Sequence, residues 1–162
     1  MTHEPRLSLA LRELLAARRV AALGTLDAER PEQPFVSMVP FARCADQGGL
    51  VVHLSALAPH TRNLLAHPQV SLMVMAAEVD GQAVHALPRV TLDAMAQVPE
   101  PGSAAWAAAR AAYLARFPEA EPMTALGDFM FVLLRPTGAR QVAGFGAARQ
   151  VDGDELTRML AD

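Results

Sequence analysis

The chain has 162 residues, 52% hydrophobic and 19% charged, which is room for one ordinary domain with one core and excludes a disordered chain. A net charge of −3 gives no general attraction to nucleic acid or to an anionic membrane. All fourteen basic residues are Arg, so Schiff-base, P-loop-lysine and Ser-Lys chemistry is excluded, and the single cysteine, Cys44, excludes an intramolecular disulfide, a CxxC pair and a multi-thiolate zinc site.

The start of the chain, MTHEPRLSLALREL, is charged where a secretory leader is apolar, and together with the lone cysteine it reads as cytoplasmic. Residues 7–19 place Leu7, Leu11, Leu14 and Leu15 at helical spacing and predict an amphipathic helix. VAALGTL (20–26) loses that period and reads as a strand, DAERPEQ as a loop, and the apolar run from Pro34 as a second strand. ADQGG makes a turn before LVVHLS (50–55), a third strand, and Pro59 opens a short helix that ends before Pro68. Strands follow at 70–76 and, after the Asp80-Gly81 turn, at 86–98, then an Ala-rich helix at 104–117. Residues 127–136 and 137–145 with AARQVDG read as a terminal strand pair, and DELTRML as a closing helix. The strands are mainly consecutive, which favours an antiparallel α+β barrel over a doubly wound sheet, and no apolar run approaches the roughly 18 residues needed to span a bilayer.

Two stretches concentrate chemistry. SALAPHTRN (55–63) joins a strand end to a helix start and gathers Ser55, His60, Thr61, Arg62 and Asn63. Free N–H groups, the helix dipole, a hydroxyl and a guanidinium suit a phosphate; the alternative is a plain cap with solvated side chains. In PFVSMVPF (34–41), Pro40 cannot donate to a ladder, so one edge of that strand is either a bare sheet edge or faces a flat ligand.

PFVSMVPF, LSALAPHTRNLLAHPQVSLMV, PRVTL, GDFMFVLL and VAGFGAAR, in that order, resemble successive blocks of the pyridoxamine 5'-phosphate oxidase-like FMN-binding split-barrel family, and most of all its haem-utilisation (HugZ-type) branch. The resemblance runs from about Leu14 to Leu160. It implies a six-stranded antiparallel split β-barrel with flanking helices in a single domain over 1–162, and a homodimer with FMN in clefts at the interface. The implied function is an FMN-dependent oxidoreductase of unidentified small-molecule substrate. Ser37, Met38, Val39 and Pro40 are expected along the flavin ring, Ser55, His60, Thr61 and Arg62 at its phosphate, Asn63 at the helix start, and Arg89 and Phe145 reaching the cofactor from two later segments. Two alternatives go with this: a haem-binding, haem-utilisation protein on the same barrel, and a flavin-binding module without turnover.

Several features depart from the family pattern. His60 stands where many relatives have Lys, Ala94 where Gly is usual and Phe117 where His is common; the last histidine is His85, so a haem-ligating histidine from a C-terminal region has no counterpart. The cluster that vitamin B6 oxidases use on their substrate has no match, which argues against true pyridoxamine phosphate oxidase activity. GFGAAR only half imitates a dinucleotide fingerprint. His53, His60 and His67 recur every seven residues without a carboxylate among them, and no metal centre is expected. Trp106 and Tyr113 read as core or contact residues, the methionines as gap-fillers.

Overall fold

The computed structural model describes residues 5–162; residues 1–4, where the segment read as lacking a leader begins, lie outside the described residues. Eight strands form one sheet: β1 (Val20–Leu26), β2 (Pro34–Pro40), β3 (Ala42–Cys44), β4 (Gly49–Ser55), β5 (Gln69–Met75), β6 (Arg89–Gln97), β7 (Phe129–Val142) and β8 (Ala148–Asp152). Their order is β2-β1-β5-β6-β7-β4-β3, with β8 paired to β7, and every pairing is antiparallel. The expected six-stranded path is β2-β1-β5-β6-β7-β4, to which β3 and β8 are short additions. Four helices flank the sheet, α1 (Arg6–Ala17), α2 (Pro59–Ala66), α3 (Ala104–Arg116) and α4 (Gly153–Ala161), as the α+β reading requires.

Period-2 alternation builds the core. Leu23, Leu72 and Leu92 of β1, β5 and β6 point inward with Val52 and Leu134, and the leucines of α1 and α4, including Leu11, Leu15, Leu156 and Leu160, close over them. On the other side of β4 and β7, Val51, Phe131 and Leu133 pack under Ala109, Tyr113 and Phe117 of α3. Burial on both faces is why β4 reads as a continuous apolar run.

The structure corrects two boundaries. Residues 129–142 form one long strand and not two, because the ladder to β6 shifts register between Asp93, opposite Gly138, and Ala94, opposite Pro136. That irregularity lets β7 run past a proline that cannot donate. The run from Pro34 divides at Phe41, since Pro40 ends β2 and β3 turns to pair with β4. Pro40 does sit on an edge strand, as its missing N–H requires.

Asp152 caps α4 by accepting from the Glu155 N–H at 2.8 Å, and Ser103 caps α3 by accepting from the Trp106 N–H at 3.2 Å. Arg149, the last residue of the GFGAAR stretch, donates to Gln141, Glu155 and Ser8, tying β7 and β8 to α4 and α1. Among the described residues no helix is long and apolar enough to cross a membrane.

Candidate functional site

The β2-β1-β5-β6 face turned away from the core is the most unusual surface of the molecule. Residues directly opposite in an antiparallel ladder project to the same side. The pairs Met38 with Ala22, Ala22 with Met73, Met73 with Thr91 and Thr91 with Arg140 therefore form one row across five strands. Beyond it, Pro40 lies opposite Val20 across β2 and β1, and Met75, Arg89 and Val142 lie opposite one another across β5, β6 and β7. Val36 and Met38 are each 66% exposed, and Val20 and Met75 each 41%. A shallow depression of about 550 Å³ runs along them. Apolar side chains at the solvent positions of neighbouring strands are what a covered surface shows.

Charge lies at one side of this face. Arg140 is exposed, with neither an ion pair nor a side-chain hydrogen bond among the described residues. Half-buried Arg89 is oriented by donating to the carbonyl of Leu87 at 3.0 Å and that of His85 at 3.4 Å. Phe145, 74% exposed, caps the loop between β7 and β8, which turns on the positive-φ glycines Gly144 and Gly146. Gly144 lies beside the Ala86 carbonyl, so the loop that carries Phe145 is at the same end of the sheet as Arg89 and His85.

The four residues expected along a ring divide between two sides of β2. Met38 faces outward, whereas Val39 is in the core, Ser37 is half-buried opposite Leu23, and Pro40 is half-buried at the strand end. Ser37 Oγ meets His60 Nδ1 at 2.9 Å, which joins β2 to the first turn of α2. Burial holds the His60 imidazole below its usual pKa, so it is neutral at pH 7 with one ring nitrogen engaged.

The junction expected to hold a phosphate is largely committed inside the fold. The fully buried Thr61 hydroxyl donates to the Ser55 carbonyl at 2.6 Å, and Asn63 accepts from the Ala28 N–H and donates to Thr25 Oγ1, each at 3.0 Å. Asn63 thus fastens the loop after β1 and not the helix start. Ser55 Oγ accepts from the Leu57 N–H and donates to the Asp128 carboxylate at 3.3 Å, which brings negative charge to the junction. The N-cap of α2 is Ala58, with no side-chain cap. Arg62 is exposed, and it assists the backbone N–H groups of Arg30 and Glu29, the main cause, in holding the Asp27 carboxyl below its usual pKa.

Sequence reasoning missed Val20, Val36, Met73, Met75 and Arg140. The available signal was apolar residues at i, i+2 on the solvent side of β2 and β5, which a strand with one solvated face does not need. Instead the methionines read as gap-fillers.

The chain is 38% identical to the haem oxygenase HutZ of Vibrio cholerae over 152 residues, 93% of this chain and 84% of that protein. It is 33% identical to the chloroplast haem oxygenase HOZ of Arabidopsis thaliana over 138 residues, 85% of this chain but only 40% of that one. The solved haem-binding protein of Mycobacterium smegmatis superposes with a TM-score of 0.84 at 30% identity; the match covers 96% of this chain and 62% of that one, less than two thirds of its length. These names overturn the expectation of an FMN-dependent oxidoreductase and favour the haem alternative. Sequence blocks that report the barrel do not report which ligand it takes. A model of the pyridoxamine 5'-phosphate oxidase family matches residues 7–143, and the chain belongs to that family, in its haem-utilisation branch.

Proposed function

We propose that this protein binds haem and acts in haem utilisation, with haem as the substrate of an oxygenase-type reaction. The observation that carries this reading is the 38% identity along 93% of the chain to a protein named a haem oxygenase. The outer sheet face supports it on chemistry alone. A haem is a flat apolar ring with two carboxylates on one edge, and a row of methionine and valine side chains with arginines at one side complements both parts.

Val36, Met38, Met73 and Met75 would lie against the ring and exclude water, while Arg140 and Arg89 would meet the carboxylates. Haem brings its own redox-active iron; binding, orientation and shielding are what the chain supplies. From β2 to β6 the face crosses three strand spacings, roughly 14 Å, broad enough for such a ring. Covering so much apolar surface on both sides of a flat ligand calls for a second protein surface, and a second copy of this chain offers the same one, so we assign the working form as a homodimer.

Titration of the purified chain with haemin, followed in the Soret region, tests the reading. Saturable binding is expected, followed by loss of the Soret band and release of iron to a chelator when a reductant and air are supplied. A Soret region that never departs from that of free haemin overturns the reading; a bound haem that survives reductant and air overturns the oxygenase half of it.

A further inference from the structure

A second cavity, of about 360 Å³, shares no residue with the outer sheet face. Its floor is apolar: Leu15 of α1, Phe41, Leu50 of β4, and Met159 and Leu160 of α4, all buried. Three arginines, Arg12, Arg43 and Arg116, stand around that floor.

The charges of Arg43 and Arg116 are not balanced by an ion pair among the described residues. Arg12 donates to the Met159 carbonyl and lies 3.9 Å from Asp162, the one carboxylate in the lining. Arg43 is exposed and has no hydrogen bond or ion pair of its side chain among the described residues. Arg116 donates through one nitrogen to the carbonyls of Ala16 and Arg18 at the end of α1, but its buried Nε has no hydrogen-bond partner among the described residues. Burial and the neighbouring Arg19 both disfavour charge on Arg116, a cost that an anion in the cavity relieves. A buried donor without an acceptor is expensive, and a guanidinium beside an apolar floor is best satisfied by an anion whose body is apolar.

We infer that this cavity is a binding site for an apolar organic carboxylate: the carboxylate meets Arg43 and Arg116, and a hydrocarbon body of medium-chain length lies on Leu15, Phe41, Leu50 and Met159. The volume is at the lower end of the range for small-molecule sites. The inference is independent of the haem reading.

Calorimetric titration of the full chain with octanoate tests it, alongside octan-1-ol, which keeps the body without the charge, and acetate, which keeps the charge without the body. Octanoate is expected to bind saturably and both controls at least about ten-fold more weakly. Arg43→Ala, a change at an exposed side chain, should weaken octanoate about ten-fold, and Ala16→Phe, which fills the cavity from its exposed rim and keeps all three arginines, should abolish binding. Absence of saturable binding overturns the site. So does octan-1-ol or acetate binding as tightly as octanoate, or either variant binding octanoate as the parent chain does.

Discussion

Ser37 Oγ on β2 and His60 Nδ1 on α2 lie 2.9 Å apart, so an edge strand, bonded along one side only, is held by a second point that the sheet does not supply. The two groups are half-buried, and each loses its partner when the other is removed. Ser37→Ala and His60→Ala are each expected to cost about 1 kcal/mol, or about 2–4 °C in Tm. The double variant should cost clearly less than the sum, since both changes delete one interaction. Additive losses in thermal melts would show that the pair is not coupled.

Acid should destabilise this fold through its buried histidines. Burial lowers the pKa of both His53 and His60 by disfavouring the imidazolium. In the unfolded chain these groups take up protons near pH 6.5, and in the folded chain only at lower pH. Below about 6.5 the unfolded state therefore binds more protons, and stability falls until the folded-state values are passed. Tm is expected to drop between pH 7.5 and pH 5.

His53 is the sharper probe of that effect. Its ring sits among Tyr113, Phe129 and Phe131, with centroids 5.6, 5.1 and 4.5 Å away, and its buried Nδ1 has no hydrogen-bond partner among the described residues. Replacing it with an apolar side chain removes an unsatisfied nitrogen, and His53→Leu should raise Tm at pH 5 and flatten the acid limb. An acid limb as steep as that of the parent chain would place its origin elsewhere.

Asn63 and His67 both tie the β1–β2 loop to α2: the Asn63 amide, only 4% exposed, is bonded to the Ala28 N–H and to Thr25 Oγ1, and His67 Nε2 lies 3.3 Å from the Ala28 carbonyl. Asn63→Ala leaves a buried Thr25 hydroxyl and a backbone N–H short of partners, a loss of about 2–3 kcal/mol. Hydrogen exchange should quicken through residues 27–33 while α3 and β7 keep their protection. Unchanged exchange in that loop would remove the anchoring role.

These residues show where sequence reading reaches and where it stops. The barrel path was legible because alternation in β1, β5 and β6 and the Pro and Gly punctuation between strands are local signals. The continuity of β7 was not, since only the register against β6 shows that Pro136 sits at an irregularity. At the candidate site, the HTRN stretch stood out in the sequence as a cluster of polar side chains at a strand-helix junction, but their direction was not legible: Thr61 and Asn63 look like ligand groups in one dimension and turn inward in three. The outer face escaped because it is assembled from one or two residues of each of five strands: the apolar i, i+2 pairs of β2 and β5 were visible, but no single strand shows that its solvent positions line up with those of its neighbours. The sequence resemblance carried haem only as the alternative to FMN, and similarity to named relatives favours that alternative.

Met38→Glu separates the role of the outer face from its contribution to the fold. Met38 is 66% exposed and opposite Ala22, so the substitution removes little packing within one chain, and Tm measured at a concentration where the parent is monomeric should move by less than about 1 °C, as for an exposed site. If this face meets a second copy across bound haem, a carboxylate on each side is placed in an apolar contact next to its symmetry mate, where it is desolvated and repelled. Sedimentation should then show a shift from dimer to monomer, and haemin should bind at least about ten-fold more weakly. Arg140→Glu should weaken haemin comparably and leave Tm within the same range, because the exposed Arg140 side chain has no hydrogen bond or ion pair among the described residues. A Met38→Glu protein that remains dimeric and takes up haemin as the parent chain does would mean that the exposed methionines and valines serve another partner, and that the haem lies on a different surface.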